Sequence, residues 1–176
     1  AGPARSLRTL SQMRTLDPNS HKAGFSPTAL GWLPENWSVR KVADFAPFVT
    51  SGSRGWAKFY STTGSLFLRI TNLRRDRIAP DFTKRKYVSL SPNSTEGERT
   101  KLNEGDILIS ITADLGIVGY IDSSVQTPAY LSQHLALLRL PPESDIHPLF
   151  LAYFLSGEKS QQHFLRITDQ GAKSGL

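Results

Sequence analysis

Gly105–Leu140 reads GDILISITADLGIVGYIDSSVQTPAYLSQHLALLRL. Two apolar runs flank an ADLG turn, a polar AYLSQH step follows, and a further apolar run closes the stretch. Ile107–Ile111 is apolar on both faces, which suits a strand central in its sheet. The pattern predicts strand, turn, strand, polar step, strand. It holds no Lys or Arg before Arg139; the basic residues stand just upstream, in LRITNLRRDRIAPDFTKRK (Leu68–Lys86). A rigid sheet beside concentrated positive charge suits duplex DNA.

Working outward, Gly64–Leu73 predicts a strand with Leu66, Leu68 and Ile70 on one face and Phe67, Arg69 and Thr71 on the other. Tyr87–Leu90 predicts another. SPNSTEGERTKL reads as a helix opened by Ser91 with Pro92 at its first position, weakened by Gly97. His147–Gly171 is helical by the spacing of Phe150, Leu151, Phe154 and Leu155, then Gln161, Phe164 and Leu165, with a break at Ser156-Gly157. Toward the N-terminus, SGSRGW is a glycine-rich loop, and Asp44–Val49 is a helical turn or irregular strand. Trp37–Val42 alternates as a short strand after the extended Leu33-Pro34 step. Residues 1–28, rich in Ser, Thr, Arg and Gly, read as a flexible tail or linker. The expected fold is a mixed α/β domain over residues 29–176: a twisted, curved sheet with short helices. Residues 145–176 form its helical end, a pair leading toward a spacer that the sequence does not contain.

The chain has 176 residues, 39% hydrophobic and 20% charged, enough to bury one core. Its net charge of +6 favours polyanionic partners, although solubility alone is an equal reading of that value. It contains no cysteine, which excludes disulfides, thiolate metal sites and a cysteine nucleophile and fits a reducing cytosol. No apolar run approaches the roughly 20 residues that span a bilayer, and AGPARSLRTL lacks the apolar segment of a secretory signal. A cytoplasmic protein with no membrane partner is expected.

Three sets of residues can carry recognition. On the glycine loop, Arg54 offers a bidentate fork to guanine, Lys58 a point charge to phosphate, and Tyr60 a stacking face. Trp56 reads instead as a core residue. The second set is Arg69, Asn72, Arg74, Arg75 and Arg77, followed by Lys84, Arg85 and Lys86; Arg69–Lys86 holds seven Lys/Arg against Asp76 and Asp81. Asn72 is an amide of the kind that reads adenine, and Arg74–Arg77 suit phosphates. The competing reading is a solvated charge run guarding an edge strand. The third set is Thr112, Asp114, Tyr130, Ser132, Gln133 and His134. Gln133 suits adenine, whereas Asp114 equally braces a turn and His134 equally serves as a hydrogen-bonded core residue.

Catalytic patterns are missing. The sequence has no Asn-Pro-Pro-aromatic motif of an adenine methyltransferase, no glycine-rich S-adenosylmethionine loop and no nucleophile–base–orienter set. Its four histidines are scattered without ligand spacing. A non-catalytic chain that needs no cofactor or metal of its own is expected.

In order along the chain, LPENW (Leu33–Trp37), SGSRGW-x-K-x-Y (Ser51–Tyr60), LRITNL (Leu68–Leu73), GDILIS (Gly105–Ser110), the ADLG turn, the QH step and GAKSGL at the end resemble the target recognition domains of type I restriction–modification specificity (S) subunits. The resemblance covers Gly31–Leu176. It implies an apolar plug of Trp and Pro at the entry motif, and readout of one half of a bipartite double-stranded DNA target. It implies as partners modification (methyltransferase) subunits and a restriction (motor–endonuclease) subunit. S-adenosylmethionine, Mg and ATP would be used by those partners. Two other classes stay open: a protein-interaction module that docks on a methyltransferase without touching DNA, and an RNA binder.

Overall fold

A computed structural model describes residues 23–174. The chain divides into two units, residues 1–40 and 41–176.

In the first unit, β1 (Phe25–Thr28) and β2 (Gly31–Pro34) pair as an antiparallel hairpin. Thr28 ties its turn, accepting from the Leu30 N–H at 3.1 Å and donating to the Gly31 carbonyl at 2.7 Å. Residues 25–28, expected to belong to the tail, are therefore strand; residues 1–22 of that tail lie outside the described residues. The strand expected over Trp37–Val42 is absent. Trp37 closes a turn onto the Pro34 carbonyl instead. The alternation of Trp37 and Val39 lacks a neighbouring strand to give it a sheet.

The second unit contains two four-stranded sheets. The first runs β3 (Phe48–Ser51), β10 (Leu135–Arg139), β7 (Ile107–Ser110), β8 (Val118–Tyr120), antiparallel throughout. The second runs β4 (Tyr60–Ser61), β6 (Tyr87–Val88), β5 (Ser65–Leu68), β9 (Ala129–Leu131), with β5 and β9 parallel. Leu108, Leu135 and Leu137 meet Leu66, Leu68 and Leu131 in a core shared by the two sheets. Ile107, Val118 and Leu138 turn the other way and pack on Leu151, Ala152 and Leu155 of α1 (Pro148–Ser156). That is why the run Ile107–Ile109 is apolar at successive positions: each face of β7 has its own core. A short turn then leads into α2 (Glu158–Ser174). The mixed α/β architecture and the helical pair agree with the sequence pattern.

Two expected elements come out differently. β5 stops at Leu68, and Ile70–Asn72 curls into a 3-10 turn, because the Asn72 side chain accepts the Arg69 N–H at 2.9 Å and closes the chain on itself. The helix expected from Ser91 does not form. Gly97 there takes a left-handed φ of 78°, and only the 3-10 turn Glu98–Thr100 follows. A side chain at Gly97 would run into the rings of Trp56 and Tyr130. The glycine is where the chain crosses an aromatic cluster, and a helix cannot make that crossing.

Candidate nucleic-acid interface

β9 and β10 belong to different sheets, and the chain passes between them through one tight turn, with the Leu135 N–H bonded to the Ser132 carbonyl at 3.0 Å. Gln133 and His134 are its two central residues. Three strand ends meet this corner. The Ser132 N–H bonds to the Leu68 carbonyl at 2.9 Å, beside Arg69. The Ile111 N–H bonds to the His134 carbonyl at 3.0 Å, at the end of β7. Gly52, at the end of β3, lies so close that a Cβ there would overlap the backbone of Leu131 and Ser132. The glycine loop, the start of the arginine run and the SQH step are thus neighbours in space, although they stand at Gly52, Arg69 and Ser132 in the sequence.

From this corner the cations spread along the second sheet. Arg69 is half-buried and donates to the Lys84 carbonyl at 3.1 Å. Lys86, just before β6, stands over the ring of Tyr60 at 4.2 Å, and Lys58 over Phe59 at 4.8 Å. Arg54, Lys84 and Arg85 are exposed and have no carboxylate partner among the described residues. Trp56 is buried against Phe59, Phe67 and Tyr130, as its size suggested; Tyr130 is buried with it, and burial first, then Glu98, pushes its hydroxyl pKa up.

The rest of the arginine run turns away from this role. Asn72 is 1% exposed. Its amide donates to the carbonyls of Asp81, at 2.9 Å, and Lys84, at 3.4 Å. Expected to read adenine, it is instead a brace for the 69–84 loop, since a buried amide with both ends bonded has nothing left for a base. Arg75, expected to hold phosphate, clasps Asp114 through two nitrogens and also donates to the Leu115 carbonyl and Gln161, each at 2.9 Å. It fastens the ADLG turn to α2, and Asp114 serves as its counter-ion. Arg77 lies 3.4 Å from Asp81, and Arg74 3.8 Å from Asp76 and 3.9 Å from Asp81. The Asp81 carboxyl pKa is held below its usual range, first by the Thr83 backbone N–H, then by the Thr83 hydroxyl and by Arg77 and Arg74. Arg74 and Arg77 remain about half exposed, so these pairs are loose.

Of the two readings left open for His134, the structure disfavours the core one: the residue is exposed, and its Nδ1 lies 2.7 Å from the Thr112 hydroxyl. One further feature was not anticipated from the sequence. Arg139 grips the buried Asp106 bidentately at 2.7 and 2.8 Å and caps the Lys101 carbonyl; the Asp106 hydrogen bond raises the Arg139 pKa. Asp in GDIL and Arg at the end of LALLR were visible as charges beside apolar runs, but only the register of β7 on β10 makes them partners. Among the described residues no group of His, Asp and Glu could hold a metal, and no helix is long and apolar enough to cross a membrane.

Residues 34–174 match the family model of the type I restriction modification DNA specificity domain. A curated relative, named as a type I restriction enzyme MjaX specificity subunit from Methanocaldococcus jannaschii, is 28% identical over 144 residues, covering 81% of this chain and 33% of its own. The chain thus spans about a third of the length of that relative. The crystal structure of the HsdS subunit from Thermoanaerobacter tengcongensis superposes with a TM-score of 0.52 at 17% identity, over 86% of this chain and 41% of that one, which shows a shared fold. By a family match that runs from the second strand of the hairpin to the end of α2, this chain belongs to the type I restriction modification DNA specificity domains.

Proposed function

We propose that this domain reads one half of a bipartite double-stranded DNA target and supplies sequence recognition, without chemistry, to a restriction–modification assembly. Its partners are then modification (methyltransferase) subunits and a restriction (motor–endonuclease) subunit; S-adenosylmethionine, Mg and ATP act in those subunits. The proposal places it in the cytoplasm, where such an assembly meets DNA. The observation that supports the reading is the corner itself, where the glycine loop at Gly52 and the end of β5 at Leu68 both meet Ser132, Arg69 bonds to the Lys84 carbonyl and Lys86 stands over Tyr60. Phosphate contacts from Lys58, Lys84, Arg85 and Lys86 set the register, and Arg54 reaches past them to a base edge. A methyltransferase partner would flip its target adenine out of the duplex once the domain is seated.

The test is selection of duplexes from a random-sequence library by the purified chain at ~150 mM salt. Recovery of one short preferred sequence, bound more tightly than its scrambled version, supports the reading. Equal binding of both, or none, contradicts it.

A further inference from the structure

Three buried polar atoms have no hydrogen-bond partner among the described residues: Trp56 Nε1, Arg69 Nε and Ser132 Oγ. All three belong to the segments of the corner: Trp56 ends the glycine loop, Arg69 follows β5, and Ser132 opens the Gln133–His134 turn. Folded chains seldom leave such groups unpaired, and each one calls for a partner. The backbone N–H groups of Ser53, Arg54, Gly55, Gln133 and His134 also lack partners among the described residues. Two loops brought together at Gly52 and Ser132 therefore carry five N–H groups without a partner among the described residues, in segments that also hold the three unpaired side-chain atoms.

We propose that the Gly52–Gly55 loop and the Gln133–His134 turn clamp one phosphate of the DNA backbone, with Thr112 positioning His134 for that contact. The inference rests on the DNA-binding reading and assigns it a particular site. The chemistry of the donors selects the ligand. A base edge offers donors and acceptors together in one plane, whereas this site offers mostly N–H donors, from two loops. A tetrahedral oxyanion is the group that takes such a set. Glycine is needed on the loop for the approach: Gly52 has no room for a side chain, and Gly55 takes φ 84°. The Thr112 hydroxyl occupies His134 Nδ1, so the ring meets solvent through Nε2. In the proposed clamp the hydroxyl donates to Nδ1, which keeps the proton on Nε2, where it can be given to a phosphate oxygen. The Gln133 side chain makes no hydrogen bond among the described residues and adds a second mobile donor.

The experiment uses the whole chain, the duplex it selects and a scrambled duplex. His134→Ala and Gln133→Ala are each expected to weaken both duplexes by the same factor, roughly tenfold, the size of one lost hydrogen bond to a charged group. Each variant should select the same sequence as the wild type. Thr112→Val should repeat the His134 effect and Thr112→Ser should restore binding, which a merely structural threonine would not show if melting temperatures are unchanged. A neutral methylphosphonate placed at successive linkages should weaken the wild type at one linkage and leave His134→Ala unaffected there. Unchanged affinity in the variants, an altered base preference, or losses that multiply at every linkage would overturn the clamp alone. A wild-type chain that binds no duplex overturns both the clamp and the DNA-binding reading.

Discussion

Arg54 and Lys84 carry the same charge and are both exposed, yet the account gives them different work. Arg54→Ala should cost about 1–3 kcal/mol on the selected duplex and much less on a scrambled one, because a bidentate base contact is lost. Lys84→Ala should weaken all duplexes alike and lower the slope of log affinity against log salt by about one. Titrations at several salt concentrations check both. Asn72 belongs to neither class. Removing its amide strands the Arg69 N–H and two loop carbonyls, so Asn72→Ala should destabilise the fold by about 1–3 kcal/mol in a urea melt while leaving the preferred sequence intact. The sequence could not separate these three residues, since it shows residue types and not whether a side chain is already spoken for. An asparagine among arginines looks like a reader of adenine until its three bonds to the 69–84 loop are seen.

The two central strands were written in the sequence plainly, and the reason is packing. Ile107 and Leu108 face separate cores, so the apolar run is continuous, and the ADLG turn joins β7 to β8 as expected. What the local pattern could not show is the exchange between sheets at Ser132–Leu135. AYL pairs in parallel with β5 and LALLR runs antiparallel to β7, and a period-2 pattern looks the same in both. The Ser91 helix failed for a related reason: its propensity was outweighed by the crossing of Gly97 over Trp56 and Tyr130. The latch between β7 and β10 is the corresponding energetic element. Asp106 is 1% exposed and Arg139 keeps about a third of its side chain in water. Asp106→Ala leaves that guanidinium without its counter-ion, with an expected loss of about 3 kcal/mol in a chemical melt, at the low end for a broken buried pair because of the remaining exposure. Asp106→Ala combined with Arg139→Leu should recover part of it.

In the second unit, the two sheets are held face to face by a leucine core, and their strand ends are where the chain is polar, glycine-rich and basic. Order along the chain made the family resemblance legible, whereas the recognition surface depends on contacts between Gly52 and Ser132, Leu68 and Ser132, and Arg69 and Lys84 that no local pattern encodes. The arginine run divides accordingly: Arg69 and Lys84–Lys86 stay with the corner, and Arg75 secures the ADLG turn to α2. The most direct test of this division is amide hydrogen exchange of the full chain, with and without its selected duplex. Slower exchange at residues 52–55, 84–86 and 133–134, with the exposed face of α1 at Phe150 and Tyr153 unchanged, is the predicted result. Protection centred on α1 with the corner unaffected would contradict the account.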